Sequence, residues 1–519
     1  MKHYLALAFI LFTKNIFSQT LQQLANKKIT LPNGWSLSPA GKSLPLGDLP
    51  LNMVVSKSGK LIAVTNNGQS TQTIQLINAV TEKQLDEVTI AKSWYGLKFS
   101  ADEKKLYASG GNDNWILQYN IIKNKLILAD SFLLGKKMKD LISPAGIEVD
   151  DAGMKMYVVT KEDNSLYIFD LRSKEVLQKI KLDGEAYSCL LSKDKKTLYI
   201  SCWGCDKIIL FDTKLMIVKQ SIAVGDNPNE IIINKKNTHL FVANANDNSV
   251  SIIDLASNKV IETLNAALYP NAPSGSTTNG LALSADNKTL YIANADNNCL
   301  SVFDVSKTGE SKSKGFIPVG WYPTNVKVIG NKIFVTNGKG FSSQANPFGP
   351  SPYRSRESVI YQQGDTSKPM GVQYIAGLFK GTLSIIPTAS DKQLDIFSKA
   401  VYANTPYSKE KELNAEGLAG NPIPRKAGEK SPIKYVFYVI KENRTYDQVL
   451  ADMPQGNGDT SLLLFGKNVT PNQHNLANDF VLLDNFYVDA EVSADGHNWS
   501  MGAYSTDFLE KTWPTSYGG

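Results

Sequence analysis

Residues Lys441-Glu442-Asn443-Arg444 place a carboxylate and an amide side by side, directly after a continuous apolar run at residues 435–440. Continuous apolarity predicts a strand that is buried on both faces of a parallel α/β sheet. Ligands of such sheets bind at the carboxyl ends of the strands. Because carboxylate and amide oxygens suit a hard cation, Glu442 and Asn443 are candidate metal ligands.

A second group of reactive side chains follows another apolar segment. Residues 479–504 begin as a predicted strand and end in a run that contains Ser493, Asp495 and His497. The chain has four histidines, and two of them, His474 and His497, lie in its last 46 residues. This concentration favours a chemical role, although His474 follows a Thr-Pro-Asn turn and is predicted to lie in a loop.

Four segments carry a resemblance to a known family: YVIKENRTYDQVLADM, GNGDTSLLLFG, VTPNQHNLANDFVLLDNFYV and SADGHNWSMGAYSTDFLEKTWPT. They resemble the bacterial phosphoesterase family of acid phosphatases and phospholipases C, which is related to the alkaline phosphatase superfamily. The resemblance covers residues 434–519. It implies an α/β domain, of which this chain would hold only the N-terminal part, because the family takes further metal ligands from later sequence.

The resemblance also implies a role for each candidate residue. The metal, a divalent ion of unspecified identity, would be held by Glu442, Asn443 and Asp495. The nucleophile would be Ser493, and His497 would protonate the leaving oxygen. The phosphate would be bound by Arg444. Gly-His-Asn stands here where the family has Pro-Asn-Arg, so Ser500 stays open as an alternative nucleophile.

Structural roles are the alternative for the same residues. Glu442 and Asn443 could cap a helix that begins near Thr445, and Ser493 could be an N-cap. Residues 456–459, Gly-Asn-Gly-Asp, are interpreted as a turn rather than a cation-binding loop.

The rest of the chain is dominated by an internal repeat. One strand pattern starts at residues 60, 104, 154, 196, 238, 288 and 331, so that the period is 42–50 residues. A polar turn and a second strand follow, as in SLYIFDL, KIILFDT, SVSIIDL and CLSVFDV. About four strands in each repeat predict a mainly β, seven-bladed β-propeller over residues 29–390, with a β-solenoid as the competing architecture.

Two strands, YVVT at 157–160 and FVTN at 334–337, make the repeat resemble the YVTN-type, YncE-like propellers. The resemblance is specific for fold and weak for function, because propellers host many activities. Residues 29–42 are predicted to supply the strand that closes the ring. An insert at 339–373 interrupts the last blade and is predicted to be a lid or a domain contact. A helix near Asp391–Val401 and a linker to residue 431 precede the C-terminal segment.

The N-terminus and the composition limit the location and the partners. A short basic start and an apolar run predict a signal peptide over residues 1–18 and an exported, periplasmic or extracellular protein without an integral membrane segment. The net charge of +6 gives no indication of a nucleic-acid partner. Cys202-Trp-Gly-Cys205 has metal or redox spacing, but without a second ligand pair it is interpreted as two neighbouring thiols, and a disulfide is left open.

Two functions remain at this stage. The first is an exported, metal-dependent phosphoesterase that acts on a phosphate ester, with the propeller as its scaffold. The alternative is a propeller that binds a ligand or a protein partner, joined to an incomplete and inactive phosphoesterase segment. Whether the chain is an enzyme is therefore an open question. A propeller lactonase or dehydrogenase is disfavoured, because no cluster of His or carboxylate side chains stands out in the repeat loops.

Overall fold

The protein is described from a computed structural model. The structure describes residues 19–137, 139–342, 349, 358–360, 371–373, 375–414, 417–426 and 428–517. The predicted signal peptide, residues 1–18, lies outside them. So does most of the 339–373 insert, of which only two short strands, Ser358–Ile360 and Gly371–Gln373, are placed between residues 343 and 374.

Seven four-stranded antiparallel sheets form the predicted propeller. In every blade the second strand is the apolar repeat strand, and it is almost completely buried. The fourth strand consists mainly of exposed and partly buried side chains, as expected at the rim of the ring. The strands of blade 1 are Pro50–Val55, Leu61–Asn66, Thr73–Asn78 and Lys83–Thr89. Those of blade 2 are Leu97–Phe99, Lys105–Ser109, Trp115–Ile122 and Lys125–Leu133. Those of blade 3 are Pro144–Asp150, Lys155–Thr160, Ser165–Asp170 and Val176–Lys181.

Blades 4 to 6 follow the same order, and blade 7 closes the ring. Blade 4 consists of Ala186–Leu191, Thr197–Cys202, Lys207–Asp212 and Ile217–Ala223, and blade 5 of Pro228–Ile233, His239–Asn244, Ser249–Asp254 and Lys259–Asn265. Blade 6 consists of Thr278–Leu283, Thr289–Asn294, Cys299–Asp304 and Lys312–Pro318. Blade 7 consists of Trp321–Ile329, Lys332–Gly340, Lys380–Pro387 and Lys42–Asp48. The outer strand of blade 7 comes from the N-terminal part of the chain, as predicted, but it is Lys42–Asp48 rather than residues 29–42. Within 29–42, Ile29–Thr30 and Ser36–Leu37 pair with each other instead.

Seven helices lie outside the blades in the described part of the chain: α1 Leu21–Ala25, α2 Asp391–Asn404, α3 Lys409–Leu413, α4 Tyr446–Leu450, α5 Pro471–Asp479, α6 Ser493–Gly502 and α7 Asp507–Tyr517. The helix predicted near Asp391 is α2, which is capped by Ser390 and buries Leu394 and Phe397 against blade 6. None of these helices is long and apolar enough to cross a membrane.

The C-terminal segment does not contain the two strands that its sequence predicts. Residues 435–440 form no strand, and Phe437 is 93% exposed. Residues 480–492 are likewise irregular, with Phe480 and Val488 exposed. A strand buried on two faces requires neighbouring strands to satisfy its backbone, and the described residues provide none here. An alkaline-phosphatase-like sheet is therefore absent from the described part of the C-terminal segment.

The structure also shows the state of the cysteine pair at residues 202 and 205. Cys202 and Cys205 form a disulfide across a single turn of 3-10 helix, with 5.4 Å between their Cα atoms. The sequence left the oxidation state of this pair open, and the structure contains the disulfide. Cys189 and Cys299 are free and buried.

Candidate functional site

The C-terminal helices rest on one end of the propeller. We call this end the docking face and define it by the residues that contact α6, α7 or the turn between them: Gln69, Trp94, Lys161, Trp203, Asn246, Asn279 and Lys339. They come from all seven blades or from the segments that enter them. The loop that follows the second strand supplies most of them, because the antiparallel pairing brings these loops to the same end of the ring.

Lys511 of α7 is a buried charged contact of the docking face. Its side chain is 4% exposed, and its ammonium lies 2.8 Å from the carboxylate of Asp507. The same ammonium donates a 2.6 Å hydrogen bond to Asn279 Oδ1 and lies 4.6 Å from the ring centre of Tyr187. Burial lowers the pKa of Lys511, and the charge of Asp507 acts in the opposite direction. Each polar contact therefore compensates part of the cost of removing this charge from water.

Aromatic side chains surround that ammonium. Trp203 packs on Phe508 of α7 with 5.0 Å between ring centres, and on Tyr187 at the same distance. Trp94 joins this cluster and donates a long hydrogen bond, 3.5 Å, to the carbonyl of Lys511. Trp203 is 1% exposed and lies inside the Cys202–Cys205 disulfide loop, so the disulfide restrains the residue on which α7 packs.

Two further hydrogen bonds fix the ends of the docked segment. Gln69 Nε2 donates to the carbonyl of Pro514, and the hydroxyl of Tyr504 donates a 2.9 Å bond to Asn246 Oδ1. Tyr504 lies between α6 and α7. The contacts thus run across the ring from blade 1 to blade 5.

Three carboxylates and one lysine form a buried cluster beside these contacts. Glu491, Asp495 of α6 and Glu510 of α7 have ligand oxygens within 4.8 Å of one another. Lys339 of blade 7 lies 2.9 Å from Glu491 and 3.6 Å from Glu510. Asp495 is 0% exposed, and its carboxyl group faces those of Glu491 and Glu510. Burial, followed by the charges of Glu510 and Glu491, raises the pKa of Asp495 to about 9.

The residues predicted from the phosphoesterase resemblance are only partly brought together. Glu442 and His497 meet across 55 residues of sequence, with 3.5 Å between Oε1 and Nε2, and both are about half exposed. Ser493 is the first residue of α6 and lies one turn before His497, on the same face of the helix. Ser500, the alternative nucleophile, donates 2.8 Å bonds to Asp489 and to the carbonyl of Gly496.

The predicted metal ligands do not form one set in the described residues. Asp495 faces Glu491 and Glu510, while Glu442 pairs with His497 and Asn443 is exposed with φ +67°. The guanidinium of Arg444 donates to the carbonyl of Asn443 and stacks on Phe465. A metal held jointly by Glu442, Asn443 and Asp495 therefore does not fit this arrangement.

The structural alternatives also require correction. The N-cap of α4 is Thr445, and α6 begins after Val492 without a side-chain cap, so Glu442, Asn443 and Ser493 do not cap helices. His474 lies in α5 rather than in a loop, is 2% exposed, and bonds Asp452 at 2.7 Å. That histidine is therefore a packed structural residue.

Sequence reasoning did not identify the docking face or the roles of Lys339, Glu491 and Glu510. The spacing of Phe508, Leu509 and Trp513 is that of an amphipathic helix and could have indicated α7. The surface that this helix contacts is assembled from seven repeats, so no local pattern could have indicated it.

The opposite end of the central channel is an open funnel of about 580 Å³. The inner strands of the blades line it, and two of its lysines are paired with carboxylates: Lys98 lies 2.7 Å from Glu148, and Lys327 is bonded to Glu230. The lining therefore contains side chains of both charges.

The fold and the docking face define a seven-bladed propeller that carries its own C-terminal segment on one end. A family profile described as "YNCE-like beta-propeller" matches residues 26–332. The chain therefore belongs to the YNCE-like β-propeller family.

Individual relatives are distant. Antigen Lp49 of Leptospira interrogans is 26% identical over 184 residues, which are 30% of this chain and 37% of the antigen. The chain thus spans little more than a third of that curated relative. The solved structure of U3-55K is 13% identical, covers 58% of this chain and 92% of its own, and has a TM-score of 0.50. Hydrazine synthase of Kuenenia stuttgartiensis is 18% identical, with 56% and 93% coverage and a TM-score of 0.49.

Proposed function

We propose that the propeller is the binding module of an exported protein, and that its docking face holds the C-terminal segment in a fixed position. The observation that carries this proposal is the buried ammonium of Lys511, which is satisfied from both sides of the interface. An unpaired charge in such a place would be strongly destabilising, so the contact is specific for this segment.

An exported location is part of the proposal. Disulfides persist in oxidising compartments, and the Cys202–Cys205 disulfide supports such a location. The same disulfide holds Trp203 against α7, so an oxidising compartment would also favour the docked arrangement.

Hydrogen–deuterium exchange on the full chain tests the docking. Phe508→Ala removes the ring that packs on Trp203 and is expected to reduce the protection of amides 507–517 roughly tenfold, or about 1.4 kcal/mol. Amides of the propeller strands should keep their protection. Phe480→Ala is the matched control, because Phe480 belongs to the same segment and is 77% exposed. Equal protection of 507–517 in all three proteins would refute the docking role.

Hydrolysis of a phosphate ester is the second candidate function. It is supported by the resemblance of residues 434–519 and by the approach of His497 to Glu442. In this hypothesis Glu442 orients the imidazole of His497, which takes the proton of the Ser493 hydroxyl as the Ser493 oxygen attacks phosphorus from the same helix face. His497 then gives that proton to the leaving oxygen as the bond between this oxygen and phosphorus breaks, and water later releases phosphate from the serine. Arg444 would have to exchange its bond to the Asn443 carbonyl for one to phosphate.

Turnover of p-nitrophenyl phosphate and bis-p-nitrophenyl phosphate, with a panel of divalent cations, tests this second function. If it is correct, Glu442→Ala reduces the rate by about a hundredfold or more, which is the usual contribution of a group in proton transfer. Glu310→Ala changes an exposed carboxylate that pairs with Lys307 and should leave the rate unchanged. A folded chain without turnover would support the binding module alone.

A further inference from the structure

We propose that a cavity between blade 7, the start of α2 and the segment around α1 binds an anionic amphiphile, a small ligand with one carboxylate and an apolar chain. The cavity has a volume of about 350 Å³, which lies within the range of roughly 300–1,000 Å³ for small-molecule sites. It is separate from the docking face, because Lys332, which borders it, begins the strand whose far end carries Lys339. The proposal therefore depends neither on docking nor on hydrolysis.

The floor of the cavity is apolar. Ile385 of blade 7 and Phe397 of α2 line it, and each of them is 3% exposed. They belong to two different core clusters, and Pro387 and Ala389 lie between them in the chain and also border the cavity. The cavity thus lies where two parts of the core meet. An apolar chain that enters this space leaves water and gains contact with buried side chains.

The rim of the cavity is positively charged. The described residues that line it include three ammonium groups and one carboxylate: Lys27, Lys42, Lys332 and Glu82. Glu82 pairs with both Lys42 and Lys332, so this single carboxylate neutralises only one of the two ammonium groups. The ammonium of Lys27 donates a 3.5 Å hydrogen bond to the carbonyl of Gly41. Two positive charges are therefore in excess, and they favour an anionic head group over a neutral or cationic one.

Hydrogen bonds between distant segments hold the walls of the cavity together. The side-chain oxygen of Gln19 accepts a 2.7 Å bond from the amide of Gly41, at the start of the closing strand. Gln393 of α2 donates a 2.8 Å bond to the carbonyl of Gln19. The hydroxyl of Ser390 caps α2 by accepting a bond from the Gln393 amide. The cavity is thus formed in the folded chain, which lowers the entropic cost of binding a ligand.

Calorimetric titration of the full chain with decanoate, below its micelle concentration, tests the site. We expect saturable binding of one decanoate per chain. Octanoate lacks two methylene groups and should bind roughly tenfold more weakly, because it buries less apolar surface. Decanol has the same chain without the charge and should also bind about tenfold more weakly or less, because it loses a hydrogen bond between charged groups.

Two variants separate the rim from the floor. Lys27→Gln removes one of the two excess charges and should weaken decanoate binding by about tenfold. Its matched control is Lys28→Gln, because Lys28 is the neighbouring residue and its ammonium bonds the carbonyl of Ala403 at 3.0 Å instead of lining the cavity. That control should bind decanoate as the wild type does. Ala389→Phe keeps every charge and adds a ring at the cavity, so it should abolish binding.

Circular dichroism and the melting temperature should show that the three variants keep the propeller. Lys27 is an exposed residue, so its replacement tests the site without disturbing the core. The proposal is overturned if the wild type shows no saturable binding, or if decanol binds as tightly as decanoate. It is equally overturned if Lys27→Gln and Ala389→Phe both bind decanoate as tightly as Lys28→Gln.

Discussion

Buried carboxylates distinguish this molecule at the scale of single residues. Asp48, which ends the closing strand of blade 7, is 4% exposed and accepts a 2.8 Å hydrogen bond from the backbone of Ser70. Burial is the largest effect on its pKa and raises it from 3.8 to about 6, against the hydrogen bonds and the charge of Lys380. The folded chain therefore holds the Asp48 proton more tightly than the unfolded chain does.

A pH dependence follows from Asp48. Between pH 3.8 and about 6 the folded state binds more protons at Asp48 than the unfolded state does. The free energy of unfolding therefore falls as the pH rises through this range, and the loss due to Asp48 is complete above about pH 6. Asp48→Asn removes the titrating group and keeps a side-chain oxygen that accepts the hydrogen bond of the Ser70 amide. The free energy of unfolding is measured with denaturant for the variant and the wild type. The difference, variant minus wild type, should increase by about 1–3 kcal/mol from pH 4 to pH 6.5.

Other carboxylates such as Asp86 and Asp212, whose pKa values are lowered by their partners, act in the opposite direction in both proteins. They cancel in the difference between Asp48→Asn and the wild type. A difference that stays constant from pH 4 to pH 6.5 would contradict the assignment to Asp48.

At the scale of elements, helices and strands differ in how far their own sequence determines whether they form. Helix α2 was predictable because its hydrogen bonds are internal, its N-cap Ser390 is local and its apolar residues recur at helical spacing. Residues 435–440 have an equally clear strand pattern, yet Phe437 and Val439 are exposed in the structure. A strand depends on neighbours that its own sequence does not specify. The β-strands of the propeller obtain those neighbours from the adjoining parts of the same repeat.

At the scale of the whole molecule, the ring is closed by a strand from the other end of the chain. Lys42–Asp48 pairs with Lys380–Pro387, and Leu44 lies opposite Leu383 in this pair. Leu383 is 0% exposed and belongs to the apolar cluster between blades 7 and 1. The closure therefore combines backbone pairing with a buried core and leaves the strand Lys380–Pro387 without an unpaired outer edge.

Leu383→Ala tests the closure. Deleting a fully buried leucine is expected to reduce the free energy of unfolding by about 2–5 kcal/mol and to lower the melting temperature of the propeller. Leu44→Ala removes the partly buried partner and should have a smaller effect. Calorimetry of the three proteins makes the comparison, and an unchanged melting temperature for Leu383→Ala would show that the apolar core at the closure does not stabilise the ring.

The candidate site could be predicted only residue by residue. The sequence indicated Asp495 and His497 as polar residues with a role, but it assigned Asp495 to a metal set with Glu442 and Asn443. The structure instead groups Asp495 with Glu491 and Glu510, because position 495 lies on the face of α6 that is turned away from His497. Which face of a helix meets which partner is decided by packing between distant segments.

The sequence by itself determined the seven-bladed propeller, since each repeat of 42–50 residues carries its own strands and turns and must cover its faces with identical neighbours. Only the tertiary structure decided which strand closes the ring, that Cys202 and Cys205 are bonded, and that α7 lies on the docking face. The closing strand and the position of α7 depend on contacts between distant residues such as Lys511 and Asn279, which are 232 positions apart. Local periodicity holds no information about such pairs, because their approach is fixed by the completed ring.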